Sequence, residues 1–97
     1  MKIKEIVKYI KKEYEFSSNA LKIAEKRITK AKQKKAKAKE FLEMAKSYLD
    51  DSLHFLKKKD YIRAIAAIYY GHAWLDAGAR LGFWKPKGKE KKFFSMD

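Results

Sequence analysis

Three side chains near the C-terminal end of the sequence could act together chemically. His72, Asp76 and Arg80 follow one another at four-residue intervals in the stretch YYGHAWLDAGARLG. On a helix, this spacing brings each side chain within reach of the next, so that the Asp76 carboxylate would be held ionised between two potential cations. We interpret the three as a buried or half-buried polar network that fixes helix register, because one histidine and one carboxylate on a helix wall lack the partners of a catalytic site. Ligand binding or proton transfer, and a role at an interface, are the alternatives.

A second polar group, Asp50, Asp51 and His54, belongs to the preceding segment. Asp50 and His54 are four residues apart on a polar face, which favours a solvated ion pair. Asp51 lies nearer the apolar face of the same segment. We therefore predict that it bonds across to the helix of His72 and joins the polar network.

The sequence contains no further pattern that indicates catalysis or metal binding. It has two histidines and no cysteine, and it lacks HExxH and Glu-x-x-His motifs, a glycine-rich phosphate loop and a serine in a recognisable nucleophile motif. We therefore expect a non-enzymatic protein without a metal site, a cofactor or a small-molecule substrate.

The chain is strongly basic, with 25 lysines and arginines, 12 acidic residues and a net charge of +13. A surplus of this size favours polyanions such as RNA, although lysine-rich surfaces are also common in proteins of heat-adapted organisms. The charge is concentrated in residues 26–39 and 85–92, and lysine dominates over arginine, which favours contacts to phosphates over the reading of bases. The predicted polyanion-binding residues are Lys30, Lys32, Lys34, Lys35, Lys37, Lys87, Lys89, Lys91 and Lys92.

The hydrophobic pattern predicts helices throughout. Apolar residues recur in alternating steps of three and four, and the single proline and the four glycines all lie in the last third of the chain. A chain of 97 residues forms one domain at most. We predict an all-α, up-and-down antiparallel three-helix bundle over residues 1–82, with helices at about 2–29, 36–58 and 60–82, followed by a short basic and aromatic C-terminal tail at 83–97.

The junction between the first two helices is ambiguous in the sequence. Residues 29–36 contain no helix breaker, so local chemistry permits either a turn or one continuous helix. We favour a turn, because a monomer must fold back to bury its apolar faces and this segment has almost nothing to bury.

The third helix is the most apolar, and it carries a stripe of small residues, Ala64, Ala67, Gly71 and Gly78. We expect this stripe to let neighbouring helices approach closely, which would offset the roughly 1 kcal/mol that each glycine costs a helix. Arg63, Tyr70 and Trp74 lie on the far side of the same helix. They form either a surface for a partner or a seat for the aromatic residues of the tail.

Other features favour a cytoplasmic protein. The absence of cysteine fits a reducing compartment. The lysine-rich N-terminus lacks the continuous apolar core of a signal peptide, and no apolar run approaches the roughly 18 to 20 residues of a membrane span.

The run FLEMAKSYLDDSLHFLKKKDYIRAIAAIYYGHAWLDAGARLG, residues 41–82, closely resembles the archaeal domain-of-unknown-function family numbered 357. Gly71 and Lys59 depart from the family pattern at positions where alanine and glycine are expected. The resemblance implies a small up-and-down three-helix bundle from an archaeon, and it implies no known activity. The pattern AxxYxxDxxxFLxxxDxxxAxxxxxYxHxWLDAxxRLG is matched by Ala45, Tyr48, Asp51, Phe55, Leu56, Asp60, Ala64, Tyr70, His72, Trp74, Leu75, Asp76, Ala77, Arg80, Leu81 and Gly82.

Two functional hypotheses follow from the sequence. The first is a protein-interaction or scaffold module, which uses the aromatic and small-residue faces of the third helix for a protein partner or for self-association. The alternative is a basic RNA-binding accessory protein that contacts the phosphate backbone of a nucleic acid. The two roles are compatible on one chain.

Overall fold

The computed structural model describes residues 2–95, so the outermost residues of the predicted bundle and tail lie outside it. Within this range the chain forms α1 at Ile3–Lys26, α2 at Lys32–Lys57, α3 at Tyr61–Arg80 and a short 3-10 helix at Gly88–Phe93. The three long helices pack against one another, and the 3-10 helix contacts α1. The predicted all-α class is thereby confirmed.

Helix α3 packs against both other helices and supplies much of the core. Near one end of the bundle, Ile68 of α3 packs with Ile10 of α1 and Leu49 of α2. Along the α2–α3 contact, Phe41 meets Trp74 and Tyr48 meets Tyr70, so residue numbers fall along α3 as they rise along α2.

The glycine at position 71 allows the close approach of α2 and α3. A Cβ atom on Gly71 would lie 3.1 Å from the carbonyl oxygen of Ala45 and 3.2 Å from Cβ of Tyr48. Because these distances are shorter than ordinary van der Waals contact, even an alanine here would require its neighbours on α2 to shift by a few tenths of an ångström. The expected role of the small-residue stripe, close approach of a neighbouring helix, is thus seen at Gly71, whereas Gly78 makes room for the Trp84 ring.

A break at residues 27–31 separates α1 from α2. It lies earlier than the turn expected at 29–36, because α2 already begins at Lys32. The position of the break is set by tertiary contacts: the Thr29 N–H donates to the carbonyl oxygen of Phe83 at 2.7 Å, and Ile28 forms an antiparallel bridge with Trp84. The local sequence does not predict this pairing.

Helices α2 and α3 end in the same hydrogen-bonding motif. After α3, Gly82 adopts a φ of 75° and the Phe83 N–H donates to the Gly78 carbonyl at 2.8 Å. After α2, Lys59 takes the corresponding position with a φ of 63°, and the next N–H donates to the Phe55 carbonyl at 2.9 Å. This left-handed cap satisfies the last carbonyls of a helix and reverses the chain, and glycine adopts it at the lowest cost.

The segment after α3 returns to the bundle and completes its core. Phe83, Trp84 and Phe94 are buried, and the Trp84 indole Nε1–H donates to the Leu75 carbonyl at 2.9 Å. The ring occupies the space left by Gly78, since a Cβ atom there would lie 2.6 Å from Trp84 Cε2 and closer still to two other ring atoms. Of the aromatic residues of the predicted tail, Phe83, Trp84 and Phe94 are therefore core residues and Phe93 is half-buried, whereas the lysines of the tail are exposed.

Candidate functional site

The polar residues of α3 connect α1 to the C-terminal segment. His72 Nδ1 lies 2.9 Å from Ser17 Oγ on α1, and His72 Nε2 lies 3.4 Å from Asp76 Oδ1. The Asp76 carboxylate accepts a hydrogen bond of 2.9 Å from the Ser95 N–H, and the Ser95 carbonyl accepts one of 3.4 Å from Arg80 Nε. We call these five residues the clamp, because they tie α1, α3 and the C-terminal segment together.

The clamp differs from the predicted polar network in two ways. Arg80 reaches the Ser95 carbonyl instead of the Asp76 carboxylate, so Asp76 is not held between two cations. Asp51 does not join the clamp, because it is exposed at the edge of a depression that it shares with Tyr48. The reason is that α2 packs on the side of α3 away from His72.

Ser17, His72 and Asp76 stand in the order of a hydrolytic triad, in which histidine activates serine and aspartate orients histidine. Ser17 is only 2% exposed and lies inside α1, where backbone N–H groups bond to carbonyls of the preceding turn and cannot form an oxyanion hole. Phe16 also stacks on the His72 ring, with centroids 5.5 Å apart. The arrangement therefore favours a structural connection over catalysis.

The pairing of the α1–α2 loop with the segment after α3 brings two basic stretches of the sequence to one end of the bundle. A depression of about 450 Å³ opens there between the two segments. The Lys34 Nζ, 3.5 Å from the Leu81 carbonyl oxygen, lies beside it. We call this region the basic end, and its charged lining residues are Lys26, Arg27, Lys30, Lys85 and Lys87.

One carboxylate lies within this basic surface. Glu90 accepts two hydrogen bonds of 3.0 Å from the Arg27 guanidinium and one of 2.9 Å from the Lys87 N–H, and it lies 3.0 Å from Lys26 Nζ. The Arg27 bonds, the Lys87 N–H and Lys26, in that order, lower the pKa of Glu90 to about 2. Glu90 therefore stays ionised and offsets part of the charge of Arg27 and Lys26. Among the described residues, Lys30 and Lys85 form no ion pair.

The nine lysines predicted to bind a polyanion are all exposed. Lys30 and Lys87 line the basic end itself. Lys37 pairs with Glu40 at 3.4 Å, and the Lys92 ammonium lies 5.3 Å from the centroid of the Phe93 ring. The remaining five, Lys32, Lys34, Lys35, Lys89 and Lys91, extend the basic surface along the first turns of α2 and the 3-10 helix.

The structure adds Lys26, Arg27 and Lys85 to the basic surface. All three belong to the lysine-rich stretches of the sequence, so charge density alone could have included them. Their convergence could not be predicted, because it depends on the contact between residues 27–31 and the segment after α3.

The predicted partner surface divides into two parts. Tyr70 is 60% exposed and stacks on Tyr48 with ring centroids 4.7 Å apart, and exposed Arg63 lies nearby, 3.2 Å from Asp60. Trp74 is half-buried and meets the Phe41 ring edge-on at 4.8 Å. Trp74 thus packs against aromatic side chains of the core, while Arg63 and Tyr70 face solvent.

The described residues hold no group of three histidine, cysteine or acidic side chains placed to bind a metal ion. None of the described helices has the length and hydrophobicity that would let it cross a membrane. Neither a curated protein nor a solved structure matches the chain. The model of one family, described as a protein of unknown function (DUF357), matches residues 8–84. This match covers most of α1 and all of α2 and α3, and it confirms the resemblance seen in the sequence, so the chain belongs to the DUF357 family.

Proposed function

We propose that this protein is a non-enzymatic nucleic-acid-binding protein that contacts the phosphate backbone of RNA through its basic end. The observation that carries the proposal is the convergence of two basic stretches, which are separated by more than forty residues in sequence, on one depression. Lysines placed only for solubility need no such meeting point, since repulsion between neighbouring ammonium groups destabilises the fold.

The composition of the basic end determines the kind of recognition. Lys30, Lys85 and Lys87 are exposed point charges on flexible stems, whereas Arg27 is engaged by Glu90. Lysine binds phosphate without the planar fork that reads guanine, so we expect affinity for the backbone and little sequence preference. We also infer that the bundle is up-and-down, with α2 antiparallel to α3. We further infer that the protein is cytoplasmic.

The test is a fluorescence titration of labelled single-stranded RNA at several salt concentrations. The first variant carries glutamine at five lysines of the basic surface, and the matched control carries glutamine at five exposed lysines of α1. Both lower the net charge by the same amount. The test positions are Lys30, Lys34, Lys35, Lys85 and Lys87, and the control positions are Lys4, Lys8, Lys11, Lys12 and Lys22.

Neutralising about five phosphates of a single strand gives a slope of roughly −3.5 in a plot of log affinity against log salt concentration. We expect the wild type and the α1 control to show this slope, and the basic-end variant to bind much more weakly at about 0.1 M salt. Equal losses in the two variants would mean that only net charge matters. Absence of binding by the wild type would refute the proposal.

A protein-interaction or scaffold role is the second candidate, and the exposed face of α3 favours it. Ile62 is 83% exposed, and Tyr70, about two turns further along the same helix, is 60% exposed. Large apolar side chains gathered on one face of a small protein often mark a partner surface. Affinity purification from native extract, with and without nuclease, distinguishes direct protein partners from those that are held through RNA.

A further inference from the structure

Glu90 is the one acidic residue in the two basic stretches of the sequence, 26–39 and 85–92. Its carboxylate does not lie free among the surrounding cations. It accepts two hydrogen bonds of 3.0 Å from the Arg27 guanidinium and one of 2.9 Å from the Lys87 N–H, and it lies 3.0 Å from Lys26 Nζ. We call these donors, the side chains of Arg27 and Lys26 and the backbone N–H of Lys87, the cradle.

The cradle has the donors that bind a phosphate group. A guanidinium presents two parallel N–H bonds in a planar fork, which matches the oxygens of a carboxylate and those of a phosphate. A backbone phosphodiester carries one negative charge shared by two free oxygens, as the Glu90 carboxylate does. A phosphate can therefore take the place of Glu90 and keep both the charge and the acceptors that the cradle requires.

A ligand can reach the cradle from solvent. The side chains of Lys26, Arg27 and Glu90 keep 60%, 29% and 18% of their surface exposed, and all three residues of the cradle line the 450 Å³ depression of the basic end. The segment that carries Glu90 is held in the core by Trp84 before it and Phe94 after it, both buried. The carboxylate can thus leave by rotation of its own side chain while the fold stays intact.

We propose that the cradle is a phosphate-binding site that the chain itself fills with the Glu90 carboxylate until the phosphate group of a ligand displaces it. The inference deepens the proposed function and rests on it for the source of the phosphate, the backbone of RNA. Glu90 is then an internal competitor, because its contacts must break before Arg27 and Lys26 can bind the strand. The carboxylate competes in its ionised form, since these contacts lower its pKa to about 2.

The first experiment uses inorganic phosphate as the probe and follows thermal unfolding by circular dichroism. Glu90→Ala empties the cradle and should melt about 4 to 8 °C below the wild type in chloride. Replacing chloride by phosphate at equal ionic strength should restore most of this loss, because the anion takes the place of the carboxylate. The wild type, whose cradle is filled, should gain much less. The double variant Arg27→Gln with Glu90→Ala lacks the fork and should gain no more than the wild type.

The second experiment is the titration of labelled single-stranded RNA with Glu90→Ala. The variant frees two cations for phosphates, so its slope in a plot of log affinity against log salt concentration should be steeper than that of the wild type by about 1.4, and its binding at about 0.1 M salt about tenfold tighter or more. Glu5→Ala is the matched control, because it changes the net charge equally at an exposed position near the other end of α1, about 30 Å from Arg27. This distance exceeds the screening length of about 10 Å, so the control should bind as the wild type does.

Two outcomes would overturn the proposal. One is equal stabilisation of the wild type, Glu90→Ala and the double variant by phosphate, and the other is RNA binding by Glu90→Ala no tighter than that by Glu5→Ala. Absence of RNA binding by every chain would refute the proposed function instead. Restoration of Glu90→Ala by inorganic phosphate would in that case still support the cradle as a phosphate site and assign it to a ligand other than RNA.

Discussion

Replacing Gly78 by alanine tests whether the Trp84 ring controls the architecture. The added Cβ would overlap atoms of the indole ring, and Trp84 has no solvent-exposed surface, so the ring must leave its site. Loss of a buried tryptophan from a core costs about 3 to 5 kcal/mol. Alanine has a higher helix propensity than glycine, which stabilises the variant by about 1 kcal/mol. The expected net loss is therefore about 2 to 4 kcal/mol, a large part of the roughly 5 to 15 kcal/mol that stabilises a small domain.

The assay is urea unfolding followed by far-ultraviolet circular dichroism. Gly71→Ala is the matched control, because its Cβ would meet neighbours at 3.1 and 3.2 Å, which a shift of a few tenths of an ångström relieves. We expect this control to lie within about 1 kcal/mol of the wild type, since the same gain in propensity applies.

A double variant tests the sign of the change in stability that Gly78→Ala causes. If the clash with the ring is the cause, Gly78→Ala in a Trp84→Ala background should stabilise instead of destabilise, because only the propensity gain is left. A loss of similar size in both backgrounds would show that Gly78 is required for another reason. A Gly78→Ala chain as stable as the wild type would show that the ring does not lie against α3 as described.

Three further predictions concern single contacts. Asp76→Ala should lower the free energy of unfolding by about 1.5 to 3 kcal/mol, because the Ser95 N–H loses a charged acceptor. Asp50→Ala, at an exposed position, should change it by about 0.5 kcal/mol or less. Equal small losses of the two variants in urea titrations would show that the clamp has no structural role. Lys59→Gly should stabilise by about 1 kcal/mol, since Lys59 has a φ of 63°, and Gly82→Ala should destabilise by a similar amount, as thermal melts can show. Because the pKa of Glu90 is lowered to about 2, its ion pairs stabilise the fold fully when the pH is above the ordinary glutamate pKa of 4.5, and this stabilisation is lost as the pH falls through about 2. Between pH 5 and 2, the melting temperature should therefore fall more for the wild type than for Glu90→Gln.

Local sequence was sufficient for the fold class and the family. The steps of three and four between apolar residues predict helices, and the motif around His72 and Trp74 identifies the family that matches residues 8–84. Within the clamp, the His72–Asp76 contact follows from spacing alone, because both residues lie on one helix and are four positions apart.

Only the tertiary structure decided which distant segments meet. Arg80 turns to the Ser95 carbonyl and the break falls at residues 27–31 because the chain after α3 folds back onto α1 and α3. The same return places Lys85 and Lys87 beside Lys30. Periodicity reports which face of a helix is apolar, but not which remote residue covers it, since that depends on the fit of whole side chains such as the Trp84 ring in the space beside Gly78.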